Sequence, residues 1–147
     1  MTALIAAEPP AAYQSRPPLV VDASVLAAAV FSEDNREEAL NWMRGRALHA
    51  PQIVDYEMAN VALNKLRRRQ ASAETAAEAL AAFSALELER SPAAPGDVFK
   101  LAVQWGLTAY DAAYLCLAVE LKAPLVTFDS RLGAAAKAHL GSLGSTT

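Results

Sequence analysis

The chain has 147 residues, of which 54% are hydrophobic and 20% charged, with a formal net charge of −3. That length fits a single ordinary domain with a core of its own, and the composition is that of a globular protein. The charge excludes a simple electrostatic nucleic-acid binder, which is strongly basic, but not an enzyme that meets phosphates through bound cations.

Residues 1–17 are rich in Ala and Pro without a sustained period, and are expected as a mobile tail ahead of one domain at 18–147. Leu19-Val20-Val21-Asp22, bounded by Pro17-Pro18, reads as a buried strand with Asp22 at its carboxyl end. Ser24 can cap a short helix, and Ser32–Asn35 a second one running to about Arg46. A strand at Leu48–Ala50 precedes Pro51. A long helix is predicted over Ile53–Arg69, and an Ala- and Glu-rich one from Ser72 to about Ala85. Leu86–Arg90 reads as a strand, Pro95–Trp105 as a helix stopped by Gly106, and Ala109–Leu121 as another helix. Leu125–Asp129 follows Pro124 as a strand, again ending in Asp, and a helix from Ser130 to about His139 closes the domain, with no final strand beyond it. Strands alternating with helices predict an α/β fold with a mainly parallel sheet and helices on both faces.

Several residues have plain readings. Cys116, the only cysteine, lies in an apolar run and reads as a small core residue. His49 and His139 are far apart in sequence, which gives a zinc site little support. Tyr110 and Tyr114, four apart, have the spacing to stack on bases, but core packing is the expectation for both, as it is for Trp42 and Trp105. Lys65-Leu66-Arg67-Arg68-Arg69 could form an RNA track, but a solvated helix C-terminus, where cations meet the dipole, is the expected reading. No run approaches the roughly 18 apolar residues of a membrane span, and no secretory signal opens the chain, so a cytoplasmic location is expected.

Four acids stand out. Asp22 and Asp129 each end an apolar strand just before a helix. In open parallel sheets that edge is where sites form. Asp111 is the only charged residue in Ala109–Val119, although Thr108-Ala109-Tyr110-Asp111 also matches a capping box. Glu57 lies near the start of the long helix, where acids suit the dipole. Singly, each has a structural explanation. If all four converge, each pair about 5 Å apart repels by roughly 3 kcal/mol at an effective dielectric of 20. Such a cluster takes up protons or binds cations. Its all-oxygen donor set favours a hard ion, Mg2+ or Mn2+.

The words around these acids resemble the PIN-domain nucleases. They are Val21-Asp22-Ala23-Ser24, then Glu57-x-x-Asn60, then Thr108-x-Tyr110-Asp111-Ala112-Ala113-Tyr114, then Leu125-Val126-Thr127-Phe128-Asp129-x-x-Leu132. The likeness is greatest to the VapC-type toxins of bacterial toxin–antitoxin pairs, and it spans residues 19 to 132. The resemblance implies a three-layer α/β/α sandwich with a central parallel sheet. It also implies Mg2+- or Mn2+-dependent hydrolysis of RNA that leaves 5′-phosphate and 3′-hydroxyl ends. Asp22, Glu57, Asp111 and Asp129 match the family's acidic positions, and Ser24, Asn60 and Thr127 its supporting polar ones. A homodimer and a cognate antitoxin are implied partners. The long N-terminal segment departs from the family pattern.

Arg131, two residues after Asp129, is placed to touch a substrate phosphate or to stand exposed at the helix start. The competing enzyme readings fit worse. Haloacid-dehalogenase-type phosphatases want a second Asp where Ser24 stands, and receiver domains want an acidic neighbour to Asp22. A catalytically silent module working only through an antitoxin-like partner is the non-enzyme alternative; the intact acid set speaks against it.

Overall fold

The structure, a computed structural model, describes Ile5, Ala7 and residues 16–143. The expected tail at 1–17 therefore lies outside the described residues except for Ile5, Ala7, Arg16 and Pro17. The elements in chain order are β1 (Pro18–Val21), α1 (Ala23–Val30), α2 (Arg36–Met43), β2 (Ala47–Pro51), α3 (Val54–Arg67) and α4 (Ala73–Ser84). They continue with β3 (Leu88–Ser91), α5 (Pro95–Trp105), α6 (Ala109–Leu121), β4 (Leu125–Val126) and α7 (Ser130–Leu143).

All strand pairs are parallel, in the order β3-β2-β1-β4. Leu19 lies beside Leu48, Leu48 beside Leu88, and Val21 beside Val126. The chain thus steps outward from β1 to β2 to β3 and then returns to the far side of β1. Right-handed crossovers place α1–α4 on one face and α5 and α6 on the other. The contacts agree: α1 touches α2, α3 and α4, while α6 touches α5, α7, β1, β2 and β4. This is the three-layer α/β/α arrangement, with β1 in the middle and the direction reversal between β1 and β4.

A strand covered on both faces must be apolar throughout, and Leu19, Val20 and Val21 have no exposed surface. For the same reason α6 is apolar nearly all round: Ala112, Ala113, Tyr114, Leu115, Leu117 and Ala118 are all buried. With Leu26, Met58 and Leu132 they fill the core. Gly106, at φ 65°, ends α5 in the left-handed region that favours glycine. Among the described residues, no helix is long and apolar enough to cross a membrane.

Some expectations need correction. α2 stops at Met43 rather than Arg46, because Arg44 turns extended and Gly45 takes a positive φ. α7 runs on to Leu143. Trp42 is 46% exposed, not core; Arg46 lies over its ring at 6.0 Å. Tyr110 is 59% exposed. Trp105 is half-buried, and its indole N–H donates to His139 Nδ1 at 3.1 Å. Lys65 is not part of a solvated helix end: it pairs with Glu33 at 2.9 Å above the Phe31 ring.

Candidate active site

All four acids reach the carboxyl edge of the sheet, for reasons of topology. Asp22 directly follows β1, and Asp129 follows β4, the neighbour of β1 at the reversal point. Glu57 lies in the first turn of α3, the helix that leaves the same edge after β2. α6 feeds β4 through a short connection and so runs antiparallel to it. Its first turn, which carries Asp111, therefore lies at that edge too.

Asp22 is 5% exposed and is the one buried charged side chain among the described residues. A buried carboxylate is costly unless hydrogen-bonded. Here Ser24 Oγ donates to its Oδ1 at 2.6 Å, and Thr127 Oγ1 donates to its Oδ2 at 2.6 Å. The backbone N–H of Val25 also donates to Oδ1, at 3.2 Å, so Asp22 caps α1. The two hydroxyls are tied in turn. Ser24 Oγ accepts from the N–H of Phe128 and Thr127 Oγ1 from that of Asp129, each at 2.9 Å. β4 was expected to reach Asp129, but its pairing ends at Val126, and the N–H groups of Phe128 and Asp129 go to these hydroxyls.

Glu57 accepts at 2.7 Å from the hydroxyl of Tyr114, a residue 1% exposed. Tyr114 was expected in the core, or stacked on a base, and not as a hydrogen-bond partner of an acid. Its hydroxyl partner lies on another helix, so no local sequence signal pointed to it; a Tyr hydroxyl among the apolar residues of Ala112–Val119 was the one available hint. Thr108 Oγ1 accepts from the Asp111 N–H at 3.1 Å and caps α6. Asp129 Oδ1 accepts from the Leu132 N–H at 2.9 Å, at the start of α7. Cap and site roles coexist at Asp22 and Asp129.

The electrostatics link the four. Burial pushes the Asp22 carboxyl above its ordinary range, against the opposing hydrogen bonds from Ser24, Thr127 and the backbone. Glu57 is raised by burial first, with Asp111 and Asp22 adding repulsion and Tyr114 working against them. Asp111 is raised by burial, then by the charges of Asp129 and Asp22, while Thr108 and Arg131 oppose the rise. The same acids and burial push the Tyr114 hydroxyl upward, so it stays a proton donor. Each acid thus lies within the field of at least one other. Arg131, exposed at the start of α7, lies close enough to Asp111 to offset part of that field.

As they stand, no three acidic, histidine or cysteine side chains among the described residues converge closely enough to hold an ion. The donor chemistry still suits a hard cation: the donors are all oxygen, Asp22, Glu57 and Asp111 are raised by burial and the latter two also by neighbouring acids, and no histidine or thiol is among them. Ser24 and Thr127 sit where supporting hydroxyls were expected. Asn60, one turn along α3 from Glu57, is exposed and makes no hydrogen bond to any of the four acids. A larger, apolar groove of about 1070 Å³ lies elsewhere, along the free edge of β4. Trp42, Leu125, Thr127, Phe128, Lys137 and Leu140 are among its walls, and it adjoins the acids through Thr127.

Comparison with known proteins places this geometry in context. A family model described as PIN domain matches residues 19–138. Ribonuclease VapC3 of Pyrobaculum aerophilum is 36% identical over 78% of this chain and 91% of its own length. Ribonuclease VapC9 of Mycobacterium tuberculosis is 32% identical over 78% of this chain and 87% of its own. Among solved structures, that of PAE2754 from Pyrobaculum aerophilum superposes with a TM-score of 0.65 at 26% identity, covering 92% of this chain and 96% of that one. Mycobacterium tuberculosis VapC20, described as a sarcin-ricin loop cleaving toxin, shares the fold with a TM-score of 0.57 at 18% identity, over 80% of this chain and 94% of its own.

Proposed function

Since the chain belongs to the PIN-domain family, among its VapC-type ribonucleases, we propose that it is an endoribonuclease toxin whose acids Asp22, Glu57, Asp111 and Asp129 hold Mg2+ or Mn2+. The observation that carries the metal reading is the elevation of Asp22, Glu57 and Asp111 at one edge of the sheet, by burial first and, at Glu57 and Asp111, by neighbouring acids as well. Carboxyls that burial and repulsion push toward protonation are a site that a divalent cation relieves. When bound, the ion supplies compensating charge and a Lewis acid for water and for the phosphodiester.

The residues have separable tasks. Ser24 and Thr127 each hold one oxygen of Asp22, which fixes the plane of its carboxylate. Tyr114 holds Glu57 by one oxygen and leaves the other free. Arg131 stands at the rim, where it can meet a phosphate. The overall reaction is hydrolysis: water adds at phosphorus, the bond to the 3′ oxygen breaks, and 5′-phosphate and 3′-hydroxyl ends result. No side chain has to serve as the nucleophile.

An RNA target and a cognate antitoxin that covers the acids belong to the same reading, as does action in the cytoplasm. A second copy of the chain is the further partner. Phe99 and Val103, one turn apart on α5 and each 68% exposed, present an apolar contact face for it. The decisive assay follows cleavage of a labelled RNA in Mn2+, with and without EDTA, beside Glu57→Gln. Cleavage should need the metal and disappear in the variant. Cleavage that survives EDTA would remove the metal from the mechanism, and an inert chain on every RNA offered would remove the enzyme.

A further inference from the structure

Three of the four acids follow directly on an aromatic residue: Tyr56 precedes Glu57, Tyr110 precedes Asp111, and Phe128 precedes Asp129. All three rings face solvent, at 75%, 59% and 38% exposure. They are three of the five exposed aromatic side chains among the described residues; Trp42 and Phe99 are the others. None of the three makes a ring contact, a cation contact or a side-chain hydrogen bond there. An aromatic ring held in water forgoes the burial that is its usual contribution to stability. Here three such rings, on α3, on α6 and in the segment between β4 and α7, each adjoin one of the acids in the chain.

We propose that Tyr56, Tyr110 and Phe128 form a rim of stacking platforms for unpaired nucleobases on either side of the phosphate to be cut. This inference rests on the ribonuclease reading. The chain's net charge of −3 and the acids themselves oppose a polyanion, so the ordinary phosphate attraction is weak. Stacking carries no net charge and accepts every base, because every base has a π face. It therefore contributes affinity at an acidic site without neutralising the carboxylates. It also requires the bases to be out of a duplex. Phe128 stands between the acids and the apolar groove along β4, which gives the strand a path away from the site on that side.

The test measures binding apart from cleavage. In an Asp22→Asn background with Mn2+, a fluorescein-labelled single-stranded oligoadenylate is titrated and followed by anisotropy. Tyr110→Ala, Tyr56→Ala and Phe128→Ala are each expected to weaken binding by roughly tenfold, the loss of one stacked base. Tyr110→Phe, which keeps the ring, should stay within about twofold of the parent. If all three alanine variants bind within twofold of the parent, the inference is wrong. It is equally wrong if their loss of binding comes with a changed oligomeric state on size exclusion, since the rings would then be a contact between protein copies. Cleavage by the otherwise unmodified chain is assayed in parallel. Its absence would overturn the ribonuclease reading, whereas intact cleavage with unaltered binding by the alanine variants would overturn this inference alone.

Discussion

The hydroxyl of Tyr114 on α6 donates to Glu57 on α3 at 2.7 Å, joining helices from opposite faces of the sheet across the carboxyl edge. Tyr114→Phe keeps the ring in the core and removes only that donor. A hydrogen bond to a charged group contributes about 1.5–3 kcal/mol, and Glu57 is partly open to solvent, so a loss near the lower figure is expected. Urea unfolding at neutral pH without metal measures it. An unchanged midpoint would show that water replaces the hydroxyl at no cost.

Thr127 serves two acids with one oxygen, donating to Asp22 and accepting from the Asp129 N–H. Thr127→Val removes both bonds and nearly preserves shape. Losing a group that orients a metal ligand typically costs 10–100-fold in affinity or activity, and a decrease of about that size in Mn2+ affinity is expected by calorimetry. Equal affinity in the variant would mean that Ser24 and the backbone orient Asp22 unaided.

Asp22→Asn separates charge from structure. The amide oxygen can still accept from the Val25 N–H, so α1 keeps its cap. RNA cleavage should fall to background. Stability in EDTA should be unchanged or raised, because a buried charge has been removed. A destabilised variant would instead mark Asp22 as a structural acid.

The pH dependence of stability follows from the raised carboxyls. A carboxyl whose folded pKa lies above its unfolded value binds its proton more tightly when folded. Its contribution to stability is fully present below the unfolded pKa and is lost as pH rises through the folded one. Asp22, Glu57 and Asp111 all shift this way from ordinary values of 3.8, 4.5 and 3.8. These three therefore make the metal-free protein lose stability as pH climbs above roughly 4. Saturating Mg2+, which binds the ionised form, should remove that loss. Thermal melts across pH with EDTA or Mg2+ test both halves. A metal-free curve that does not fall would mean that other groups outweigh the three acids.

What could be read from the sequence was what is locally encoded. Asp22 and Asp129 stand out because an apolar run ends on each, and Asp111 because it is the only charged residue from Ala109 to Val119. The order of the strands is not local: that β1 lies between β2 and β4 depends on which edge the last crossover reaches. The Tyr114–Glu57 bond is missed for the same reason, as its partners are 57 residues apart. Residue type alone also misplaces Trp42 and Tyr110, since much of a folded surface is apolar and a large ring does not reveal which way it faces. Asn60 has the spacing of a supporting residue, but its position on α3 leaves it in water.

The pairing of β1 with β4 also sets when the site can come into being. Asp22 emerges early in synthesis, but its partner hydroxyl on Thr127 and its neighbour Asp129 are made only after all four strands and six of the seven helices. A growing chain, or a fragment stopped before β4, carries three of the acids without the segment that draws them together. The ribosome therefore finishes most of this protein before it holds anything able to cut RNA.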